Sequence, residues 1–91
     1  KKGDNIMRSI TYVITDRVGI HARPAGIVVK AAQKYQSEIL IHKGEKQADA
    51  KKLMQLMSLG VKGGEEISVT ADGPDEEEAC AAMEKVLKEN L

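Results

Sequence analysis

A change in hydrophobic period near residue 20 constrains the fold of this chain more than any other feature. Residues 8–15 are rich in β-branched side chains and largely alternate in polarity, which predicts a strand. Residues 22–35 place apolar side chains three and four positions apart, which predicts an amphipathic helix. Pro24 marks the start of that helix, because proline is tolerated in the first turn and rarely deeper.

His21 stands at this junction and is the candidate functional residue. Its position predicts an imidazole at or near the helix N-cap, beside backbone N–H groups that have no intrahelical acceptor. Those donors and the helix dipole favour an anion, and the guanidinium of Arg23 follows two residues later. A nucleophilic imidazole beside an anion site suits reversible phosphorylation of histidine. The alternative is that His21 is a simple cap or loop residue.

The rest of the chain continues to alternate between strands and helices. Residues 38–43 and 46–50 predict two strands joined by a type II′ turn that starts at Gly44. Residues 51–59 predict a short helix with apolar side chains around most of its circumference, so some of them must stay exposed. Residues 66–71 predict a fourth strand.

The final helix completes the fold prediction. Asp75 is predicted to cap it, and Glu78, three residues on, is predicted to complete a capping box. The element order βαββαβα predicts an α+β fold in two layers, with four strands and the helices segregated on one face. We expect residues 8–91 to form this single domain and residues 1–7 to be a tag or a disordered N-terminus.

Charge is uneven along the 91 residues, although the formal net charge is zero. Residues 1–62 carry 12 Lys/Arg and 5 Asp/Glu, whereas residues 63–91 carry 2 and 9. The half that holds His21 is therefore basic and favours acidic partners or phosphate groups.

Composition narrows the function classes further. Only two residues are aromatic, which disfavours stacking on nucleic acid. The single cysteine, Cys80, precludes an intramolecular disulfide and is expected to be partly buried, while His42 is expected to be an exposed residue without a role. No metal site or cofactor is predicted. The absence of a membrane-length apolar run and of a secretory signal predicts a cytoplasmic protein without membrane insertion.

Three stretches resemble the HPr family, the histidine-containing phosphocarriers of the bacterial phosphoenolpyruvate–sugar phosphotransferase system. Residues 51–60 resemble the second helix of the family and its exit, and residues 71–79 resemble its last turn and helix start. The resemblance covers residues 8–91 in the same element order. The stretch that resembles the active-site signature is Gly19-Ile20-His21-Ala22-Arg23-Pro24-Ala25.

The resemblance implies an open-faced β-sandwich whose antiparallel sheet has the strand order 1-4-2-3 and carries three helices on one face. It implies that His21 accepts a phosphoryl group on Nδ1 from phosphorylated enzyme I and donates it to enzyme IIA domains for sugar uptake. Arg23 and the backbone N–H groups of Ala22 and Arg23 would stabilise the phosphate. The protein would be a stoichiometric carrier, not an enzyme, and a monomer.

The resemblance also implies a docking surface for both partners on the second helix. Its apolar centre and the residues around it are Leu53, Met54 and Met57, with Ile20, Lys30, Lys51 and Gln55.

Two positions depart from the family pattern. Lys52 occupies the position of a regulatory serine, so this chain lacks that phosphoacceptor, and Val18 replaces a common polar residue three positions before His21. Lys52 keeps open an alternative function, that of a specialised regulatory or nitrogen-branch carrier that acts mainly by binding regulatory proteins.

Overall fold

The alternating stretches form strands and the stretches of longer period form helices, in the predicted order. The structure is a computed structural model that describes residues 8–91, so the prediction for residues 1–7 lies outside the described residues. The elements are β1 (Arg8–Val13), α1 (Ala22–Ala32), β2 (Glu38–Lys43), β3 (Lys46–Asp49), α2 (Leu53–Ser58), β4 (Glu66–Asp72) and α3 (Glu76–Asn90).

The four strands form one antiparallel sheet in the order β1-β4-β2-β3, as expected. In the centre of the sheet Val69 lies opposite Ile10 of β1 on one side and Ile41 of β2 on the other. The β2–β3 hairpin turns at Gly44, whose φ of 60° is the positive value that the first central residue of a type II′ turn requires.

The three helices cover one face of the sheet and leave the other face open. Alternate strand residues point into a core of aliphatic side chains, and the helices close that core from above. Its largest fully buried apolar side chains are Ile14, Ile39, Ile41, Leu56, Ile67, Met83, Leu87, Val28 and Val69.

His42 departs from the sequence prediction. It is half-buried, and its Nε2 lies 3.0 Å from Thr70 Oγ1. The prediction of an exposed side chain was wrong because β2 and β4 are neighbours in the sheet, which puts a polar partner beside His42. Cys80 is buried, and desolvation raises the pKa of its thiol.

The strand β1 ends at Val13, two residues earlier than predicted, because the backbone that follows forms hydrogen bonds outside the sheet. The N–H groups of Thr15 and Asp16 both donate to the main-chain oxygen of Leu91, at 2.6 and 2.7 Å. The hydroxyl of Thr15 donates to the same oxygen at 2.7 Å. The end of the last helix therefore anchors the loop that leads to His21.

The predicted capping box at α3 is wrong. Asp75 is the N-cap residue, but its side chain makes no capping hydrogen bond. Its carboxylate instead accepts hydrogen bonds from the backbone N–H groups of Gln36 and Ser37, each at 2.9 Å, and from the Ser37 hydroxyl at 2.5 Å. The carboxylate thus joins the start of α3 to the segment between α1 and β2, because the buried Ser37 needs a partner.

Gly19 lies where the loop before His21 packs tightly against the backbone of Val61. Its φ is 91°, and a Cβ placed there would lie 2.2 Å from the carbonyl oxygen of Val61. We expect Gly19→Ala to lower the free energy of unfolding by at least about 2 kcal/mol, measured by urea denaturation. Gly26→Ala is the matched control, because Gly26 is helical and nothing lies within 4 Å of its added Cβ. It should raise stability by about 0.5–1 kcal/mol. Equal effects of the two variants would contradict the close approach at Gly19.

Asp75 gives the fold a predictable dependence on pH. The hydrogen bonds from the Ser37 hydroxyl and the Gln36 N–H lower the pKa of the Asp75 carboxyl. Because this pKa is lower in the folded chain, the carboxylate stabilises the fold above the unfolded-state pKa, and this contribution disappears as pH falls through the folded-state pKa. We expect Asp75→Asn to lower Tm at neutral pH, and the difference from the wild type to shrink below about pH 4.

Glu78→Gln is the control for this measurement. Glu78 is exposed in the first turn of α3, and its substitution should change stability by less than about 0.5 kcal/mol. A larger loss of Tm from Glu78→Gln than from Asp75→Asn would support the capping box. It would contradict the stabilising role of the hydrogen bonds that Asp75 accepts from Gln36 and Ser37.

Candidate functional site

His21 is the N-cap residue of α1, as predicted. Its backbone is extended, with φ −122° and ψ −175°, and its carbonyl oxygen accepts the first helical hydrogen bond, from Ala25 N at 2.8 Å. Its side chain makes no capping hydrogen bond and is 41% exposed. The imidazole is therefore held at the helix terminus by the backbone and stays accessible to a partner.

The first turn of α1 leaves two backbone donors next to this imidazole. Ala22 and Arg23 are the first two helical residues, and their N–H groups have no acceptor within the helix. The third helical residue, Pro24, has no N–H group. The first turn contains no acidic residue to occupy these donors. The terminus can thus receive an anion, with the helix dipole contributing roughly 0.3–1 kcal/mol.

Asp16 brings a carboxylate to the other side of the imidazole. Its Oδ2 lies 3.7 Å from His21 Nε2, and its Oδ1 accepts a hydrogen bond from Val18 N at 2.8 Å. The Val18 N–H is the main cause that lowers the pKa of the Asp16 carboxyl. A shallow depression of about 220 Å³ opens beside these groups. It is lined by Asp16, His21, Arg23, Pro24, Ile27 and Asn90.

The loop before His21 packs against the segment between α2 and β4. The N–H of Ile20 donates to Val61 O at 3.1 Å, and the Gly19 backbone passes so close to Val61 that only glycine fits. Ile20 itself is buried, with 7% exposure. Its side chain anchors the loop in the core, so it is not part of the exposed surface of the site.

The helix α2 exposes apolar side chains, and the segment that follows it contacts the loop before His21 through Val61. Leu53, Met54 and Met57 are 39%, 74% and 36% exposed, and we call these three residues the α2 patch. Only Leu56 of this six-residue helix is buried, because a single turn and a half meets the sheet on one side. The sequence prediction that some apolar residues of this helix stay exposed is confirmed.

The polar residues predicted around the α2 patch differ in their exposure and in their hydrogen bonds. Lys30 and Gln55 are exposed, and Gln55 Oε1 accepts a hydrogen bond from Asp49 N at 3.1 Å. Lys51 is half-buried, and its Nζ donates to Tyr35 O at 2.7 Å. Lys30 is therefore the most available cation of this set.

Sequence reasoning missed the residues that the loop and the last helix bring to the depression. Asp16 was interpreted only as part of a loop, although an Asp that accepts from the N–H two residues later is a common turn device that could have flagged it. Asn90 reaches the site through the end of α3, and no local pattern signals that contact.

Residues 8–91 contain no helix that is long and apolar enough to cross a membrane. Nor does this part of the chain gather three or more His, Cys, Asp or Glu side chains in an arrangement that could hold a metal ion.

Known proteins are similar to this chain in both sequence and fold. Residues 8–89 match the sequence profile described as the phosphotransferase system HPr component phosphorylation site. The phosphocarrier protein HPr of Mycoplasma genitalium is 44% identical over 85 residues, which cover 92% of this chain and 97% of the relative. A crystal structure of HPr-C-His from Thermoanaerobacter tengcongensis has a TM-score of 0.88 at 39% identity, covering 92% of this chain and 94% of that chain.

A more distant structural neighbour forms a dimer. Crh of Bacillus subtilis, described as a catabolite repression protein with a swapped, intertwined dimer, has a TM-score of 0.75 at 36% identity and covers 82% of this chain and 86% of that chain. The monomeric state expected from the sequence therefore stays a prediction.

The family profile, the relatives named phosphocarrier protein HPr and the fold shared with their structures define the class of this chain as a small phosphocarrier. The chain belongs to the HPr family of the phosphotransferase system.

Proposed function

We propose that the chain accepts a phosphoryl group on Nδ1 of His21 from phosphorylated enzyme I and passes it to enzyme IIA domains that serve sugar uptake. It does so as a stoichiometric carrier, since the phosphoryl group it receives is the one it gives away. The observation that carries this proposal is the position of His21, whose exposed imidazole caps α1 next to two backbone donors without helical acceptors.

The anion site suits a group that must arrive and leave. The N–H groups of Ala22 and Arg23 offer hydrogen bonds to phosphoryl oxygens, and the guanidinium of Arg23 lines the same depression. Each is a solvent-accessible interaction of modest strength, so the phosphoryl group is stabilised without being trapped. Arg23 is exposed, which lets it follow the phosphoryl group as a partner docks.

The α2 patch is the proposed docking surface for both partners. A short helix that exposes two methionines and a leucine can repack against more than one surface, because methionine is unbranched and flexible. Lys30 and Lys51 add positive charge at its edge, in line with the basic character of residues 1–62. The buried Ile20 supports the site from beneath and is left out of this surface.

Incubation with phosphoenolpyruvate and enzyme I tests the carrier function directly. The wild-type protein should gain the mass of one phosphoryl group, which acid treatment should remove. His21→Ala should gain none. His42→Ala is the matched control, because His42 lies on the open face of the sheet with Thr70 as its partner, and it should be phosphorylated like the wild type. Intact mass spectrometry reads all three. A wild-type protein that gains nothing, or a gain that His21→Ala retains, would refute the proposal.

A second candidate function is that of a specialised regulatory or nitrogen-branch carrier. The exposed Lys52 at the N-cap of α2, beside the α2 patch, favours it, because the chain has lysine where the family often has a regulatory serine. The two candidates differ in the second step. A sugar-uptake carrier loses its phosphoryl group when mixed with a sugar-specific enzyme IIA domain, whereas a specialised regulatory or nitrogen-branch carrier keeps it in that mixture.

Truncation of the α2 patch should weaken docking without changing the chemistry. We expect Met54→Ala to raise the KM of enzyme I for this protein about 5- to 30-fold, with kcat nearly unchanged, because a central interface residue contributes about 1–2 kcal/mol. Val13→Ala is the control, since Val13 is also exposed, at 48%, but lies on β1 away from α2. A loss of kcat with KM unchanged, or equal effects at both positions, would contradict the docking role of the patch.

A further inference from the structure

We propose that Asp16 is a positioning residue that selects the reactive tautomer of His21. Its carboxylate holds the imidazole proton on Nε2, so that Nδ1 keeps the lone pair that attacks phosphorus. This proposal rests on the proposed function for the role of Nδ1. The geometry that points to it is independent of that function: Nε2 is the ring nitrogen that faces Asp16 Oδ2, at 3.7 Å.

The carboxylate of Asp16 is well placed to orient the ring because its own position is constrained on three sides. Its Oδ1 accepts from Val18 N at 2.8 Å, which leaves Oδ2 for His21. Its backbone N–H donates to Leu91 O at 2.7 Å, and its carbonyl oxygen accepts from Gly19 N at 3.1 Å. The aspartate is 29% exposed, so solvent competes only in part for Oδ2.

No other acidic side chain among residues 8–91 lines the depression around His21. The groups that approach the imidazole are the Arg23 guanidinium and the N-terminus of α1, the uncharged Asn90 from α3, and Asp16. A carboxylate only accepts hydrogen bonds, so it favours the tautomer that carries a proton on the facing nitrogen. The distance of 3.7 Å is longer than a hydrogen bond, and such contacts commonly tighten when the reacting complex forms.

The tautomer decides whether the transfer step can begin. In the Nε2–H form, the lone pair of Nδ1 forms the new N–P bond while the bond between phosphorus and the donor breaks. The ring then carries one positive charge, with its proton still on Nε2, and the Asp16 carboxylate balances that charge. When the phosphoryl group passes to the acceptor, the N–P electron pair returns to Nδ1. No proton has to leave or arrive during either transfer.

The tautomer of His21 can be measured before any phosphorylation. At about pH 8.5, where an ordinary imidazole is neutral, long-range ¹H–¹⁵N correlation spectra distinguish Nε2–H from Nδ1–H. We expect the wild-type His21 to be predominantly Nε2–H. A wild-type His21 that is predominantly Nδ1–H would overturn the proposal whatever the variants do.

The variant Asp16→Asn makes the test sharper. An asparagine oxygen can still accept from Val18 N, but its NH₂ group would then face His21 and donate to Nε2. The proton should therefore move to Nδ1, and the spectra should show this shift. Unchanged tautomer populations in Asp16→Asn would overturn the proposal. His42 serves as an internal reference, because its spectrum should not change.

Asp49→Asn is the matched control. Asp49 Oδ1 accepts from Lys51 N at 2.9 Å, two residues on, which is the same local turn as at Asp16. The variant Asp49→Asn removes the same charge as Asp16→Asn and should leave the His21 tautomer unaltered. A shift of equal size in this control would show that net charge, and not the contact with Asp16, sets the tautomer, and would overturn the proposal.

The lifetime of the phosphorylated protein gives a second readout. In hydrolysis the phosphoryl group passes to water and the ring leaves as neutral imidazole, which requires that Nε2 still carries its proton. Without the carboxylate the ring holds this proton less well, so we expect Asp16→Asn to lengthen the half-life of phosphohistidine at neutral pH about two- to fivefold. An unchanged or shortened half-life would overturn the proposal that Asp16 is a positioning residue for His21. If the wild-type protein were never phosphorylated, the proposed function would fail, while the tautomer measurement would still test Asp16 alone.

Discussion

Backbone hydrogen bonds between the segment before His21 and the segment before β4 are the interactions on which the site depends. Ile14 N donates to Glu65 O at 3.0 Å, and Ile20 N donates to Val61 O at 3.1 Å. Gly19 lets the two segments touch. These contacts set where α1 begins, and hence where His21 presents its ring. Buried apolar side chains stabilise the fold, but these polar contacts determine the geometry of the N-cap.

The candidate site combines several weak interactions, which would suit the proposed transfer of a phosphoryl group. The helix terminus contributes roughly 0.3–1 kcal/mol towards an anion, and the two N–H donors, the exposed guanidinium and the partly exposed aspartate are all open to solvent. A strong, buried site would hold the phosphoryl group too tightly to release it. Under the proposed function, the exposure of the ring would serve the same end, since donor and acceptor would have to reach the same nitrogen in turn.

Most of the fold and the centre of the site could be predicted from the sequence, because they depend on local patterns. Hydrophobic period identified most of the seven elements, the turn at Gly44 indicated the polar strand β3, and Pro24 located the N-cap at or near His21. The predictions failed where distant segments meet. Asp75 looked like a capping residue, but its carboxylate bonds to Ser37, 38 residues away in the chain. The contact between Asp16 and His21 likewise depends on a loop conformation that residue spacing does not encode.

The anchoring of Thr15 by Leu91 has a consequence for folding. The two residues are 76 positions apart, and closing so long a loop is entropically costly until the intervening chain has ordered. On the ribosome, the strand and helix that flank His21 emerge early, yet the loop between them gains its acceptor only when α3 has been synthesised and docked. A chain without α3 therefore lacks the acceptor for the Thr15 hydroxyl and for the N–H groups of Thr15 and Asp16, which precede His21.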